Sequence, residues 1–325
     1  MRVLHVVPHL PPPYEGVGTY AAALAGALGG EARFLVGDPG WSGSGGRAVA
    51  ARTAAALLEG IGDAETVLLH YAGYGYESRG CPAWLAEGLG RWQGRLVTVF
   101  HEVWASGPPW RSSFWLLPIQ RRLAALLAVR SQELATTLEV YAGLLRPWTA
   151  GRGIAVLPVF STVGEPAAVP GFGERPRRLA VFGGAGVRGR AWGPFRPDLE
   201  RAARALAIEE IVDVGTPIPV PPSVAGIPVR VLGVLPPAGV SDLLLGAAAG
   251  FLAYPPDFLP KSTIFAAYCA HGALPVCAWR RHPADRLPYW TGGSEPVAVA
   301  AAAHAWYRGH SLASQAARFR EMLAA

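Results

Sequence analysis

Short apolar runs alternate with stretches of helical spacing from one end of the chain to the other. Each run is bounded by glycine, proline or polar residues, which is the pattern of a strand buried on both faces. Alternation of such strands with helices predicts parallel sheets covered by helices on both sides. The predicted strands are residues 3–7, 32–36, 66–71, 96–100, 154–160, 179–184, 210–215, 228–235, 251–254 and 274–279.

A segment rich in proline and glycine, residues 161–178, interrupts this alternation and has no periodicity. We interpret it as a linker between two domains, residues 1–160 and residues 179–305. A last helical pattern within residues 306–325 is predicted to return to the N-terminal domain. The predicted fold class is α/β, with two Rossmann-like, doubly wound parallel sheets that face each other across a cleft. Ligands are then expected beyond the carboxyl ends of the strands.

Composition narrows the class of protein. Hydrophobic residues make up 51% and charged residues 16% of the chain, which excludes global disorder and fits large hydrophobic cores. The formal net charge of +6 comes from scattered arginines, and lysine is nearly absent. This charge favours anionic substrates. Because no polybasic run occurs, we do not predict nucleic acid as a partner.

The cellular location is predicted from cysteines and apolar runs. Cys81, Cys269 and Cys277 show no metal-ligand spacing, as expected for buried thiols in a reducing compartment. The apolar run at the N-terminus is short and ends in prolines, unlike a signal peptide. No apolar stretch of about 20 uncharged residues occurs, so we expect no membrane span. We predict a cytoplasmic protein and leave open peripheral contact with the inner face of the membrane.

Gly16 and Gly18 flank the start of the helix that follows the first predicted strand. Small residues at this position let backbone amides approach a phosphate or a sugar, and the helix dipole favours an anion. A plain strand-to-helix turn that needs glycine for conformational reasons is the alternative. The spacing is not that of a dinucleotide fingerprint, so a nicotinamide site is disfavoured.

Aromatic and hydrogen-bonding groups gather at the end of the strand at residues 66–71. His70 and Tyr71 close the strand, and Tyr74 follows in a loop rich in tyrosine and glycine. Aromatic faces beside hydroxyl groups suit sugar rings, so these three residues are candidates for the acceptor side of a site. A surface loop that packs on its neighbour is the alternative interpretation.

His101 and Glu102 directly follow the strand at residues 96–100. A histidine beside a carboxylate can act as a general base or orient an acceptor hydroxyl. Successive strand residues point to opposite faces, so one of the two is expected to be catalytic and the other structural. The alternative is a pair that pins the following loop. Trp104 in that loop either fills the core or forms a platform for the acceptor.

Two basic clusters occur in the second half of the chain. Residues 183–195 are predicted to form a flexible glycine-rich loop, in which Gly184, Arg188 and Arg190 suit a diphosphate. A solvated loop with incidental arginines is the alternative.

Two predictions concern local structure in the first half: residues 114–129 begin as a helix and end in a short strand, and Ser131 caps a further helix.

Lys261, Ser262 and Thr263 stand where a loop turns into an apolar helix that ends at Gly272. The lysine and the first helical amides would form a positive pocket beyond the strand at residues 251–254. An ordinary N-cap without a ligand is the alternative.

Several classes of site are not indicated by the sequence. The histidines are scattered, and neither a paired set of acidic ligands nor a DxD motif occurs, so we predict no metal. The phosphate-binding Gx4GK[ST] motif and the GxSxG motif are also missing. We therefore predict that the protein uses no cofactor.

Taken in order along the chain, four segments resemble the GT-B glycosyltransferases of the broad family 4 group. They are "MRVLHVVPHLPPPYEGVGTYAAALAGAL", "IAVLPVFSTVGE", "RRLAVFGG" and "KSTIFAAYCAHGALPV". The resemblance implies an N-terminal domain for the acceptor and a C-terminal domain for a nucleotide-diphosphate sugar.

Residue by residue, the resemblance places Gly16 and Gly18 near the donor diphosphate and the acceptor. Arg188 and Lys261 would contact the diphosphate, and His101 would lie at the reaction centre. The resemblance also implies transfer with retention of configuration.

One departure from the family pattern concerns the donor ribose. Family members carry two glutamates eight residues apart around the last helix, and one of them binds the ribose. The corresponding residues here are Leu259 and Ala267. Donor recognition therefore differs, or activity has been lost, and the intact Lys-Ser-Thr sequence favours a variant donor site.

We therefore predict a metal-independent, hexosyltransferase-like enzyme that moves a sugar from a nucleotide-diphosphate donor to an acceptor hydroxyl. The acceptor is a glycan, a lipid-linked glycan or a small molecule. Two alternatives stay open: a catalytically inactive homologue that binds sugar nucleotides as a partner subunit, and a sugar-nucleotide epimerase.

Overall fold

The structure is a computed structural model of the chain and describes residues 3–11, 16–279 and 287–324. The described residues form two compact units, each built on its own sheet. The first unit comprises residues 1–158 and 312–325, and the second comprises residues 159–311. None of the helices in the described ranges has the length and apolar character needed to cross a membrane.

The first unit contains a seven-stranded sheet in which all strands are parallel. Its strands are β1 (Val3–Val7), β2 (Arg33–Val36), β3 (Arg47–Ala48), β4 (Thr66–Tyr71), β5 (Arg95–Phe100), β6 (Glu133–Thr136) and β7 (Ala155–Val156). Their spatial order is β3-β2-β1-β4-β5-β6-β7. The chain leaves β1 toward one edge and continues from β4 toward the other, so a topological switch point lies between these two strands.

The helices of the first unit follow the apolar spacing of the sequence. They are α1 (Gly16–Leu28), α2 (Ala54–Ile61), α3 (Gly73–Tyr76), α4 (Ala83–Arg91), α5 (Ser112–Arg130) and α6 (Glu139–Leu145). Helix α2 shows the local rules: the Thr53 hydroxyl accepts a 3.2 Å bond from the amide of Ala56, and the helix ends at Gly62, whose φ is +57°. A side-chain cap at the start and a left-handed glycine at the end satisfy backbone groups that the helix itself leaves unpaired.

The prediction that residues 114–129 end in a strand is wrong, because α5 stays helical through Arg130. Leu123 and Leu127 are buried one helical turn apart. A short apolar run does not by itself distinguish a strand from a buried helix segment. Ser131 does not start a further helix either: it is the C-cap of α5 and leads into β6, and its hydroxyl donates a 2.7 Å bond to the carbonyl of Leu127.

The second unit contains a six-stranded sheet in the order β10-β11-β9-β8-β12-β13. Its strands are β8 (Arg178–Phe182), β9 (Glu210–Val214), β10 (Ser223–Val224), β11 (Ile227–Gly233), β12 (Ala249–Leu252) and β13 (Leu274–Cys277). The pairs are parallel, except that β10 and β11 are antiparallel. The switch point of this sheet lies between β8 and β12.

The helices of the second unit cover its sheet, and the final helix belongs to the first unit. The second-unit helices are α7 (Ala185–Trp192), α8 (Arg196–Ala205), α9 (Pro237–Leu245), α10 (Thr263–Ala270) and α11 (Pro296–Arg308). The last helix, α12 (Leu312–Ala324), packs on α1. The sequence placed residues 306–325 with the N-terminal domain, whereas residues 306–311 lie in the second unit.

The segment interpreted as a linker, residues 161–178, is part of the second unit. Arg175 within it is buried, and its guanidinium donates to the carbonyls of Leu244 and Ala247, each at 3.0 Å, and of His271 at 2.6 Å. The segment therefore joins the carboxyl ends of α9 and α10, where helical carbonyls have no intrahelical partner. Burial lowers the pKa of Arg175 to about 10, so the side chain remains charged at neutral pH.

Replacing Arg175 by alanine is expected to lower the free energy of unfolding by about 3 kcal/mol, because several buried carbonyls lose their donor at once. Arg177→Ala is the matched control, since Arg177 is exposed two residues away, and it should change stability by about 0.5 kcal/mol or less. Urea unfolding of the full chain measures both. Equal effects of the two substitutions would show that the segment is a passive linker after all.

Candidate functional site

Three buried histidines form a continuous row in the first unit. Nδ1 of His5 lies 3.3 Å from Nε2 of His70, and Nδ1 of His70 lies 3.2 Å from Nε2 of His101. The imidazole ring of His70 is stacked on those of both His5 and His101. We call these three residues the histidine row.

The strand register explains the row. His5 on β1 is aligned with Leu68 on β4, and His70 on β4 is aligned with Val99 on β5. Each histidine therefore lies two residues closer to the carboxyl end than the one before, and a step of two keeps the side chains on one face of the sheet. The row crosses three adjacent strands and ends at His101, just beyond β5.

Burial keeps the inner histidines uncharged. It lowers the pKa of His5 to about 4, and it lowers the pKa of His70 well below the ordinary value, with smaller contributions from the neighbouring His101 and His5. Each nitrogen–nitrogen contact between neutral rings needs one donor and one acceptor. If His101 donates to His70, its outer nitrogen Nδ1 is an acceptor; if it accepts from His70, Nδ1 is a donor.

His70 and Tyr71 were predicted on the acceptor side, and the structure gives both a core position. His70 is fully buried and reaches His101 only through the row. Tyr71 is also fully buried, and its ring packs edge-on against Phe100 at 5.2 Å between centroids. The expected surface loop begins only after these residues, because β4 remains inside the sheet up to Tyr71.

Tyr74, Glu102 and Trp104 share one small cavity of about 120 Å³, so three of the predicted residues are brought together. The side chain of His101 contacts His70 in the histidine row, whereas that of Glu102 lines the cavity. The two side chains therefore lie in different environments, as the alternation of strand faces predicts. The cavity wall is held by Gln120, whose amide nitrogen donates to the hydroxyl of Tyr74 at 3.0 Å.

The two glycines at α1 have different environments. A side chain at Gly18 would place its Cβ 2.3 Å from the carbonyl oxygen of His9, so only glycine lets α1 approach the loop after β1. Gly16 is exposed and has open space around it. The role of both residues toward a ligand stays a prediction.

In the second unit, helices α7 and α10 begin side by side at the switch point. Gly183, directly after β8, has a φ of +129°, and Gly184 is the N-cap of α7. A Cβ on Gly183 would lie 2.3 Å from Cδ1 of Ile264, in the first turn of α10. The glycine pair therefore allows two helix N-termini, each with unpaired amides, to meet beyond adjacent strands.

Lys261 stands at the start of α10 and is the only lysine among 29 basic Lys and Arg residues. It is half-buried, and its Nζ lies 5.8 Å from the centroid of the Phe258 ring. The hydroxyl of Ser262 accepts a 3.2 Å bond from the amide of Phe265, so this residue is the N-cap that was weighed as an alternative. Thr263 is the first residue of the helix and is partly exposed.

The prediction of a flexible loop around Arg188 is wrong, because residues 185–192 form helix α7. Arg188 points into the core and is fully buried in an ion pair with Asp213, which is also fully buried. Its third nitrogen donates to the carbonyl of Thr216 at 2.7 Å. With all of its guanidinium engaged, Arg188 supports the loop after β9 and presents no surface to a diphosphate.

Arg190 lies partly at the surface and partly engaged in the interior of the second unit. It is partly exposed, and its Nε donates to the carbonyl of Ala253 at the end of β12, at 3.1 Å. This bond ties α7 to the strand that precedes Lys261.

Both residues at the expected glutamate positions lie in the core. Leu259 and Ala267 are fully buried. A glutamate at either position would place a carboxylate in an apolar environment, which is costly without a partner. The apolar side chains therefore fit their surroundings in this chain.

The described residues contain no group of three or more histidine, cysteine, aspartate or glutamate side chains arranged to hold a metal ion. His282, one of the scattered histidines of the sequence, lies outside the described ranges.

Sequence reasoning missed His5, Gln120 and Asp213. A signal was present for two of them: His5 interrupts the run "VLHVV" and Asp213 interrupts "EIVDV", and a lone polar residue inside a buried strand requires a buried partner. Gln120 had no such signal, because its partners Tyr74, Arg79 and Ala105 lie on α3 and in loops far from it in the sequence.

Comparison with known proteins gives matches among solved structures. No family model matches this chain, and no curated protein matches it. It is similar to AviGT4, a glycosyltransferase involved in avilamycin A biosynthesis, with 16% identity, a TM-score of 0.56 and coverage of 99% of this chain and 96% of that one. It is also similar to WaaG, a glycosyltransferase involved in lipopolysaccharide biosynthesis, with 12% identity, a TM-score of 0.55 and coverage of 98% and 99%.

A third similar structure is an alpha-glucosyltransferase in complex with UDP-glucose and DNA containing an abasic site. The identity is 10%, the TM-score is 0.58, and 99% of this chain and 93% of that chain are covered. The chain thus has the two-domain, Rossmann-like α/β fold found in GT-B glycosyltransferases, as the sequence predicted. That nucleic acid is not a partner of this chain stays a prediction.

Acidification tests the neutral histidine row. The folded pKa of His5 is below its unfolded value of 6.5, so this neutral group contributes stability above pH 6.5 that is lost as the pH falls toward 4. His5→Phe removes this proton uptake. Between pH 6.5 and 4 the free energy of unfolding of the variant should therefore decrease less steeply than that of the wild type, by up to about 1.4 kcal/mol per pH unit. Urea unfolding at several pH values measures the slope.

His310→Gln is the control, because His310 lies outside the row and bonds to the carbonyl of Trp306. The loss of stability on acidification that comes from His5 should remain in this variant. Identical slopes for His5→Phe and the wild type would refute a neutral His5.

The buried ion pair gives a second stability test. Arg188→Met leaves Asp213 buried without its partner and is expected to lower the free energy of unfolding by about 3–5 kcal/mol. The double variant Arg188→Met/Asp213→Leu should recover part of this loss. Arg201→Ala, which breaks an exposed pair with Asp198, should cost about 1 kcal/mol or less. A loss for Arg188→Met as small as that for Arg201→Ala would contradict a structural role.

Proposed function

We propose that this chain is a glycosyltransferase that moves a sugar from a nucleotide-diphosphate sugar to an acceptor hydroxyl. The proposal assigns the donor to the second unit and the acceptor to the first. It is supported most by one observation: α7 and α10 begin together at the switch point of the second sheet, beside the only lysine of the chain. The fold shared with glycosyltransferases is consistent with this assignment.

The donor side would act by electrostatic stabilisation. When the glycosidic bond breaks, negative charge develops on the leaving diphosphate. The ammonium of Lys261 and the first amides of α7 and α10, at Gly184 and Thr263, are oriented groups that stabilise such charge without rearrangement. The hydroxyl of Ser262 caps α10 and is not assigned to the ligand. Arg188 is buried in its ion pair with Asp213 and supports the loop after β9 without contacting the donor.

The acceptor side would use His101 at the end of the histidine row and, separately, the cavity lined by Glu102. In the tautomer that donates to His70, His101 presents an acceptor nitrogen, which can receive or orient the proton of an acceptor hydroxyl. Glu102, Tyr74 and Trp104 line that separate cavity and are candidates for contacts with the acceptor.

Three finer features remain part of the proposal. Transfer with retention follows from the resemblance to family 4, and independence of metal ions follows from the lack of a DxD motif and of paired acidic ligands in the sequence. A hexosyl donor belongs to the same prediction. The buried Leu259 and Ala267 imply that the ribose is recognised by other groups than the paired glutamates. A cytoplasmic location also stays a prediction.

A thermal-shift screen of UDP, GDP, ADP and dTDP, with their sugars, identifies the donor, because a ligand that binds only the folded state raises the melting temperature. Lysine labelling localises it. With a single lysine in the chain, acetylation of Lys261 is read directly by mass spectrometry and should fall in the presence of the bound nucleotide. Undiminished labelling under saturation would place the nucleotide elsewhere.

Two variants separate binding from turnover. Lys261→Ala is expected to weaken donor binding about tenfold and to reduce turnover, because a charge-assisted contact is lost. Lys261→Arg keeps the charge and serves as the control. His101→Ala should lower turnover about 10²-fold or more with little change in donor affinity.

The alternative function is a non-catalytic subunit that binds sugar nucleotides. It would be favoured if the wild type binds a nucleotide but neither transfers the sugar nor hydrolyses the donor. Binding of no nucleotide at all would overturn both functions.

A further inference from the structure

Helix α5 is apolar on two opposite sides, and the structure covers only one of them. Its inner side, with Leu123 and Leu127, is buried and packs on α4 and β5. Its outer side is exposed and carries a row of large apolar residues that begins in the preceding loop. These residues, which we call the α5 stripe, are Trp110, Phe114, Trp115, Ile119, Leu126 and Val129.

The exposure of the α5 stripe is unusually high. Trp110 is 84% exposed, Trp115 is 70% exposed and Val129 is 60% exposed. Residues 115, 119, 126 and 129 recur at helical spacing and therefore lie along one side of the helix. The 19 residues of α5 extend for about 28 Å. A row of large exposed apolar side chains along this length, interrupted by Arg122, marks an interaction site, whereas single exposed apolar residues do not.

The segment that carries the stripe has charged side chains of one sign. Residues 103–132 contain four arginines and no aspartate, glutamate or lysine. Arg111 at the start of α5 and Arg122 within the stripe are both exposed. The surface therefore combines tryptophan, aliphatic side chains and positive charge, and its electrostatic complement is an anionic surface.

Arg122 distinguishes between the two simplest occupants. In a symmetric pair of chains the stripe would meet its own copy, and Arg122 would be buried against a segment that has no carboxylate to pair with it. Against a bilayer, the arginine stem lies along the apolar surface while the guanidinium reaches a lipid phosphate. Tryptophan is likewise favoured at the boundary between headgroups and acyl chains.

We propose that the α5 stripe is a docking surface for a membrane containing anionic phospholipid. The apolar side chains enter the boundary region of one leaflet, and Arg111 and Arg122 contact lipid phosphates. The helix lies along the surface and does not span the bilayer. This inference does not depend on the proposed glycosyl transfer.

Co-sedimentation of the full chain with vesicles tests the proposal. One vesicle preparation is phosphatidylcholine alone and the other contains equal parts of phosphatidylcholine and phosphatidylglycerol. The wild type should bind the anionic vesicles more strongly, and Trp110→Ser/Trp115→Ser should lower the partition coefficient roughly tenfold or more. Arg111→Gln/Arg122→Gln should reduce binding to the anionic vesicles and weaken its dependence on salt.

Matched controls come from the second unit. Val297→Ser changes an exposed apolar residue on α11, and Arg204→Gln changes an exposed arginine on α8; both should bind vesicles like the wild type. The proposal is overturned if the wild type ignores anionic vesicles or if the tryptophan variant still binds them fully. It is also overturned if the wild type elutes as a dimer that the tryptophan variant breaks into monomers, since a second copy would then cover the stripe.

Discussion

Parallel strand pairing determines where the chemical groups of this protein lie. In each sheet the carboxyl ends of the strands meet at one edge, and the reversal of strand order between β1 and β4, and between β8 and β12, leaves that edge open between two loops. The histidine row reaches the edge of the first sheet only because the register of β1, β4 and β5 advances by two residues per strand. A shift of one residue would move a histidine to the opposite face and break the row.

Buried polar groups stabilise the second sheet at both of its edges: Arg175 lies before the amino ends of β12 and β13, and the pair of Arg188 and Asp213 lies at the carboxyl end of β9. Arg175 gathers carbonyls at helix ends, and Arg188 with Asp213 anchors the turn between β9 and the following loop. Removal of either arginine would leave its partners without compensation in a medium of low dielectric constant, where such groups are costly. The loops that carry Gly184 and Lys261 thus rest on a framework whose ion pair and hydrogen bonds are inaccessible to ligand.

The sequence was sufficient for the fold because apolar strands and helices differ in period and because glycine marks the turns. Alternation predicted both sheets, and the two-domain Rossmann-like architecture is confirmed. The side chains were harder to place. Arg188 was assigned to a ligand because charge implies exposure on average, and only the tertiary contact with Asp213 reverses that expectation. For the same reason His70, at the end of its predicted strand, was assigned to the acceptor side, although its partners His5 and His101 bury it in the row.

The difference between arginine and lysine supports the donor site independently of the fold. Arg175 and Arg188 each satisfy several fixed acceptors with one guanidinium. A planar fork is suited to acceptors whose directions do not change. Lysine carries a compact charge on a flexible stem, which can follow an anion as its position and charge change during a reaction. The other basic residues of the chain are arginines, yet the residue beside the two converging helix N-termini is lysine. This placement favours the proposed donor site.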